Sequence, residues 1–112
     1  MEIIAISKSV RQSPRKLRLV ADAAKKMSPA GALERILLLP KSAALPIAKT
    51  IKSALANAEN NFKLDPAKIR IKNIVIDGGF RMKRRDKSHS DRFNRGLWQK
   101  PTAHIKVILE SL

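Results

Sequence analysis

Cationic side chains form the first group of residues in this chain that could bind a ligand. Arg11, Arg15 and Arg18 follow one another at spacings of four and three around the start of a predicted helix, so they can share one face. Guanidinium groups bind phosphates through paired hydrogen bonds, and a helix N-terminus adds exposed N–H groups with partial positive charge. Together with Lys16, the cluster predicts phosphate binding. The alternative is a solvated face on which Arg18 pairs with Asp22.

A second and larger cationic group lies in residues 77–101. This segment holds eight Lys and Arg against three Asp, a net charge of 8 − 3 = +5, and three of the chain's four aromatic residues. Basic and aromatic side chains together suit a nucleic acid, which offers phosphates and unstacked bases. The predicted phosphate contacts here are Arg81, Lys83, Arg84, Arg85, Lys87, Arg92 and Arg95. The candidates for stacking on bases, or for packing within the segment, are Phe80, Phe93 and Trp98.

The sequence offers no catalytic or metal-binding arrangement. Residues 88–91 (SHSD) include the residue types of a hydrolytic triad, but adjacent residues cannot converge as a nucleophile, a base and an orienting group must. His89 and His104 are the only histidines and Cys is absent, which excludes a thiolate zinc site and a Cys nucleophile. Residues 77–79 (DGG) lack the pattern of a phosphate-binding loop. We therefore expect no enzyme, cofactor, metal or small-molecule substrate.

Composition points to a folded protein with a polyanionic partner. The chain has 112 residues, 44% of them hydrophobic, and 24 Lys and Arg against nine Asp and Glu give a net charge of 24 − 9 = +15. Such a charge destabilises a small domain through self-repulsion unless a polyanion neutralises it. Apolar runs fall far short of the roughly 20 residues that span a bilayer, and the N-terminus lacks the features of a signal peptide. We expect a cytoplasmic protein with no membrane association.

Local signals predict three helices. Ser-Pro pairs open the first two, with Ser13 or Ser28 as N-cap and the proline at the first helical position. The first helix extends to about Lys26, and the second continues through Leu37 until Pro40 stops it. A third helix covers residues 41–60, where a stripe rich in alanine predicts close packing against a neighbour.

Three segments are predicted to be strands. Residues 2–7 are β-branched, 102–109 alternate strictly between apolar and polar faces, and 68–76 alternate with a phase slip near Asn73, which a bulge or burial of both faces explains. The fold class is α+β, with three helices packed on one face of a three-stranded antiparallel sheet and a long projecting β-hairpin. We expect one domain over 1–112, with 1–76 and 102–112 as the body and 77–101, here called the arm, as the extended basic hairpin. The residues assigned to the core are Ile51, Leu55, Ile69, Ile105 and Val107.

Four ordered motifs resemble a known family. They are residues 13–22 (SPRKLRLVAD), 52–61 (KSALANAENN), 77–79 (DGG) with 82–84 (MKR), and 102–105 (TAHI). Together they resemble the family of bacterial large-subunit ribosomal protein twenty-two over nearly the whole chain. The resemblance implies a structural protein of the large ribosomal subunit, located in the cytoplasmic ribosome, with a small α+β body near the end of the nascent-chain tunnel. The arm would run inward through ribosomal RNA.

The resemblance also implies partners and further site residues. The arm tip would line the exit tunnel beside ribosomal protein four and the nascent peptide, and the protein would act in subunit assembly. The RNA-binding positions that the second motif adds are Lys52, Asn57 and Asn61. The tunnel tip would comprise Lys87, Ser88, His89, Ser90 and Asp91. Residues 85–98 depart from the family pattern, in which a Pro-Arg-Ala-x-Gly-Arg-Ala-like stretch is typical.

Two other functions are compatible with a basic chain. An architectural DNA-binding protein could use the arm to wrap a groove, although such arms usually come from a symmetric dimer. A protein that binds anionic lipid would need a basic amphipathic helix, whereas the basic residues here concentrate in the arm. Competition between RNA and DNA at fixed salt separates the first alternative from ribosomal RNA binding.

Overall fold

Two serine–proline pairs begin the first two helices in the computed structural model, which describes residues 1–87 and 96–112. Helix α1 is Pro14–Ala24, and helix α2 is Pro29–Ile36. At the start of α2 the Gly31 N–H donates to Ser28 Oγ at 3.2 Å, which satisfies one of the amides that a helix N-terminus leaves unpaired. Both predicted starts are confirmed, but both helices end earlier than predicted. In particular, α2 leaves Leu37 outside the helix.

Helix α3 (Ala44–Asn60) begins three residues later than predicted. Pro46 lies in its first turn, where a missing N–H costs nothing. Its buried face is mostly alanine, which lets the helix lie close to α2 and to the strands Glu2–Val10 and Ala103–Ser111. Ile51 is fully buried as predicted, whereas Leu55 is half-buried and packs against the edge of the core.

The main sheet has three antiparallel strands, β1 (Glu2–Val10), β2 (Ile69–Gly78) and β5 (Ala103–Ser111), with β5 in the centre. Strand β1 runs three residues beyond its predicted end, and its last residue, Val10, pairs with Ala103 at the start of β5. The β2 register shifts between Ile71 and Asn73, so the phase slip in the sequence is a β-bulge. The bulge keeps the apolar residues on both sides of it directed toward the core.

The core lies between one face of this sheet and the three helices. Ala103, Ile105, Val107 and Leu109 alternate along β5 and are each 0% exposed. Ile69 is also buried, in agreement with its predicted core position. The described residues therefore have the predicted α+β fold, in which three helices cover one face of a three-stranded antiparallel sheet.

A second, two-stranded ladder follows the main sheet. Strand β3 (Met82–Arg85) pairs antiparallel with β4 (Leu97–Lys100), as a hairpin requires. The molecule measures 59 × 24 × 18 Å, and its Cα radius of gyration is 17.1 Å. A compact chain of this length would have a radius of about 13 Å. These dimensions support an arm that projects from the body.

Candidate nucleic-acid interface

The described part of the arm carries cations on both faces of its ladder. Arg84 lies opposite Trp98 on one face, and Lys83 lies opposite Gln99 on the other. Because side chains alternate along a strand, Arg85 shares the face of Lys83. The β3 cations are all exposed. Such a ribbon can contact polyanionic groups on two sides at once.

The two described aromatic side chains of the arm have different surroundings. Lys100 Nζ lies 5.5 Å from the centroid of the Trp98 ring, within the range of a cation–π contact. Trp98 is 46% exposed, so one part of its ring packs within the arm. Phe80 is 74% exposed and sits where β2 gives way to β3. Of these two candidates, Phe80 is the more accessible to a stacking base.

Hydrogen bonds fix the arm to the body at its root, which comprises residues 78–81 and 101–104. The Gly79 N–H donates to Thr102 O at 2.9 Å, and Thr102 Oγ1 donates to Phe80 O at 2.6 Å. Arg11 Nη1 donates to Pro101 O at 2.5 Å. The direction of the arm is therefore set by contacts of residues that directly follow β1 and directly precede β5.

The sequence reasoning missed Ser9 and His104 as positioning groups at the root. The Ser9 N–H donates to His104 Nδ1 at 3.0 Å, and Ser9 has a φ of 56°, which lies in the left-handed region. The close approach of Gly79 to Thr102 leaves no room for a side chain. The one signal in the sequence is the pair of glycines at 78 and 79, which marks a strand exit but not its partners.

Gly79→Ala is expected to lower the free energy of unfolding by about 1–3 kcal/mol, because overpacking a tight site costs this much. A Cβ at Gly79 would lie 2.6 Å from Thr102 Oγ1, which is held by its own hydrogen bond, and 3.3 Å from the His104 ring. Gly78→Ala is the matched control, because a Cβ there has nothing within 4 Å. Urea unfolding of both variants measures the difference, and equal stability of the two would contradict a packed root.

The cationic cluster on α1 is divided between two sides of the helix. Arg18 faces the edge of β2 and its Nη2 donates to Ile76 O at 3.1 Å. Asp22 pairs with Lys25 at 3.6 Å, so the Arg18–Asp22 alternative is not the arrangement observed. Lys16 precedes Arg18 by two residues, which is 200° around the helix and hence the opposite side. Arg18 thus has a structural partner as well as an exposed surface.

Arg11 and Arg15 lie close to the arm root. Strand β1 ends at Val10, which pairs with Ala103, and α1 begins at Pro14. Arg15 is therefore in the first turn of a helix that starts beside the root, and it is exposed. Together with Arg11 and Arg18, it extends the cationic surface of the arm onto the body.

The RNA-binding positions predicted from the second sequence motif lie on α3 and directly after it. Asn57 and Asn61 are neighbours on α3 and just after it, and Asn61 Nδ2 donates to Asn57 Oδ1 at 3.5 Å. From there the chain enters β2 at Ile69, at the end of the sheet opposite Gly78. Lys52 is exposed on α3. The structure therefore does not bring the two asparagines together with the arm root.

The outer face of the main sheet, which the helices do not cover, carries two ion pairs. Arg70 Nη2 lies 3.0 Å from Glu110 Oε2, and Lys72 pairs with Glu2 across the central strand. The hydrogen bond to Lys72, and then its charge, lowers the pKa of Glu2, and the same contact raises the pKa of Lys72. These pairs are exposed and stabilise the fold little. Because each pair joins one cation to one carboxylate, this face offers less net positive charge to a polyanion than β3 does.

Several predicted site residues lie outside the described residues. They are Ser88, His89, Ser90 and Asp91 of the tunnel tip, the phosphate contacts Arg92 and Arg95, and the aromatic residue Phe93. Lys87, the first residue of the predicted tip, is described and exposed. Its neighbour Asp86 continues the ladder through a hydrogen bond from its N–H to Gly96 O at 3.0 Å.

In residues 1–87 and 96–112, no three His, Asp or Glu side chains cluster as metal ligands would. The helices of the same ranges are too short or too polar to span a bilayer.

Fold and surface define the class of small basic structural proteins in which an α+β body carries a cationic arm. The family model described as "Ribosomal protein L22p/L17e" matches residues 5–110. The chain belongs to this family of large-subunit ribosomal proteins, which are not enzymes, and its place is the cytoplasmic ribosome. The family resemblance seen in the four sequence motifs is thereby confirmed.

Curated relatives match the chain over nearly its whole length, and each is named "Large ribosomal subunit protein uL22". The protein of Fusobacterium nucleatum is 44% identical over 110 residues, which cover 96% of this chain and 95% of the relative. The protein of Chloroflexus aggregans is 39% identical, with 97% and 95% covered. That of Thermomicrobium roseum is 39% identical, with 100% and 93% covered.

Proposed function

We propose that this ribosomal protein binds ribosomal RNA through its arm and the adjoining surface of α1, and that the arm tip lines the nascent-peptide exit tunnel. The observation that carries the proposal is the exposure of cations on both faces of β3 in a ladder that extends from the body. Residues 1–76 and 102–112 form the body of a single domain in this proposal, and residues 77–101 form the arm.

The arm suits RNA that surrounds it. Arginine and lysine contact phosphates and sugars, which fix position and orientation without reading sequence. Structured RNA is recognised largely by shape and backbone, with aromatic side chains stacking on unpaired bases. Arg84 and Lys83 can reach phosphates on opposite sides of the ribbon, and Phe80 can stack on a base near the root. Arg11, Arg15 and Arg18 continue the phosphate contacts on the body.

Subunit assembly follows from the same arrangement. A ribbon that holds RNA on two sides joins segments of RNA that are distant in sequence, and it neutralises their repulsion. Asn57 and Asn61 would contact RNA from the opposite end of the body, and Lys52 would do so from the middle of α3. The tip, residues 87–91, would meet ribosomal protein four and the nascent peptide in the tunnel.

Deletion of residues 86–96 tests the tunnel role separately from RNA binding. The shortened chain is expected to sediment with the large subunit in a high-salt sucrose gradient, because the body, the root and β3 up to Arg85 remain. Its ribosomes are expected to lose crosslinks between this chain and a stalled nascent peptide. The full-length chain is the control in both measurements.

Each other outcome has a distinct meaning. Release of the deletion variant to the top of the gradient would show that the tip supplies the essential RNA contacts. Unchanged crosslinks to the nascent peptide would contradict the tunnel role. Sedimentation of the full-length chain with DNA would favour the architectural alternative, in which the arm wraps a DNA groove.

A further inference from the structure

An apolar groove lies on the side of α1 that faces away from β2. Its α1 wall consists of Lys16, Leu19, Val20 and Ala23, which recur at the i, i+3, i+4, i+7 spacing of one helix face. Its other wall is the segment 39–43, which joins α2 to α3. We call these residues the leucine groove. Its volume of about 380 Å³ is within the range of binding pockets.

The leucines at this groove are unusually exposed. Leu19 is 69% exposed, and Leu37 and Leu38, just before the groove segment, are 57% and 83% exposed. Leu37 and Leu38 stand outside the core because α2 ends at Ile36, and the next residues form a turn in which the Leu39 N–H donates to Ile36 O at 3.0 Å. A cluster of exposed apolar side chains around a concave site marks an interaction surface.

We infer that the leucine groove binds an acidic amphipathic segment of another protein in the large subunit. Charge complementarity identifies this occupant, because Lys16 and Lys41 are the charged residues of the lining. An apolar side chain in the groove, flanked by carboxylates that meet the two ammonium groups, would bury the leucines and neutralise both cations. Binding of this kind places an apolar anchor in a pocket with a polar rim.

Two other occupants fit the groove less well. An unstacked RNA base is recognised by aromatic stacking and edge hydrogen bonds, and the lining is aliphatic apart from Lys16, Lys41 and Ser42. A second copy of this chain would bring a charge of +15 against +15. The groove is also on the opposite side of α1 from Arg18, so its occupant does not compete with RNA bound near the arm root.

The test places a photo-crosslinking residue, p-benzoylphenylalanine, at Leu19 of the full-length chain in purified large subunits. Irradiation is expected to give one main product, whose adduct maps by mass spectrometry to a segment with apolar and acidic residues in a different ribosomal protein. The same residue at Leu45 is the matched control, because Leu45 is a 52% exposed leucine outside the groove. The control is expected to leave that segment unlabelled.

Charge reversal makes the test specific. Lys41→Glu is expected to reduce the yield of the product, because reversal of a rim charge replaces attraction of the acidic segment by repulsion. Lys49→Glu, on α3 and outside the groove, is expected to leave the yield unchanged. A nucleotide adduct as the main product, an adduct with a second copy of this chain, the absence of an adduct, or equal effects of both reversals would overturn the proposal. None of these results would bear on RNA binding by the arm.

Discussion

Ile105→Ala is expected to lower the free energy of unfolding by about 2–5 kcal/mol, the cost of removing a large aliphatic side chain from a well-packed core. Ile105 is 0% exposed and lies on the central strand, paired with Ser7 on one side and Ile76 on the other. Strands on both sides and helices above it restrict collapse of the cavity. Since a small domain has about 5–15 kcal/mol in total, the variant would lose much of its stability.

Urea unfolding followed by circular dichroism measures this loss. Ile6→Ala is the matched control, because it removes the same atoms from a side chain that is 54% exposed on the outer face of the same sheet. We expect the control to lose less than about 1 kcal/mol. A loss at Ile6 as large as that at Ile105 would contradict the assignment of the core to one face of the sheet.

The alternation of apolar and polar residues along β5 made the central strand of the sheet predictable from sequence. Apolar residues at every second position of residues 102–109 indicate a half-buried strand, and the buried set found in β5 is the predicted one. The starts of α1 and α2 were equally accessible because the Ser-Pro signal depends on local backbone chemistry. The phase slip near Asn73 left two explanations open, a bulge or burial of both faces, and the register of β2 selects the bulge.

Element ends depended on contacts that the sequence does not display. Leu37 continues the helical pattern, yet α2 ends at Ile36. The Leu38 and Leu39 N–H groups donate to Arg35 O and Ile36 O in a tighter turn, and Pro40 then cannot continue a helix. Strand β1 extends through Ser9, a residue in the left-handed region, where the Ser9 N–H donates to His104 on β5. Such a long-range partner has no local signature.

The candidate site was predictable in composition but not in arrangement. Clustered cations identify a polyanion-binding surface, because charge acts over several ångströms regardless of detailed geometry. Helical spacing alone places Lys16 and Arg18 on opposite sides of α1. Which side faces β2 and which faces the 39–43 segment depends, by contrast, on how these elements pack against α1. The leucine run at 37–39 was visible in the sequence, but its exposure follows from the early end of α2.

The triple variant Lys83→Ala, Arg84→Ala, Arg85→Ala is expected to weaken binding to large-subunit ribosomal RNA about 10²–10³-fold in 0.1 M salt. Each cation that neutralises a phosphate releases counterions, and each such contact contributes about 0.7–0.9 to the slope of log K against log salt. The slope is therefore expected to fall by about 2–3 in magnitude. Titration of RNA transcribed in vitro, at several salt concentrations between 0.05 and 0.2 M, roughly the range in which this dependence is steep, measures both quantities.

A variant with the same loss of charge separates the arm from the overall field. Lys26, Lys49 and Lys68 are exposed and lie outside the proposed RNA contacts. Their replacement by Ala also changes the net charge from +15 to 15 − 3 = +12. Because a nonspecific field depends on net charge, equal weakening of both variants would show that the arm has no special role. A loss confined to the β3 variant, with its unfolding curve unchanged, would locate the phosphate contacts on the arm.

The same titration with duplex DNA distinguishes ribosomal RNA from DNA as the partner. If folded ribosomal RNA is the partner, the chain should bind that RNA in preference to duplex DNA, and removal of the three β3 cations should abolish the preference.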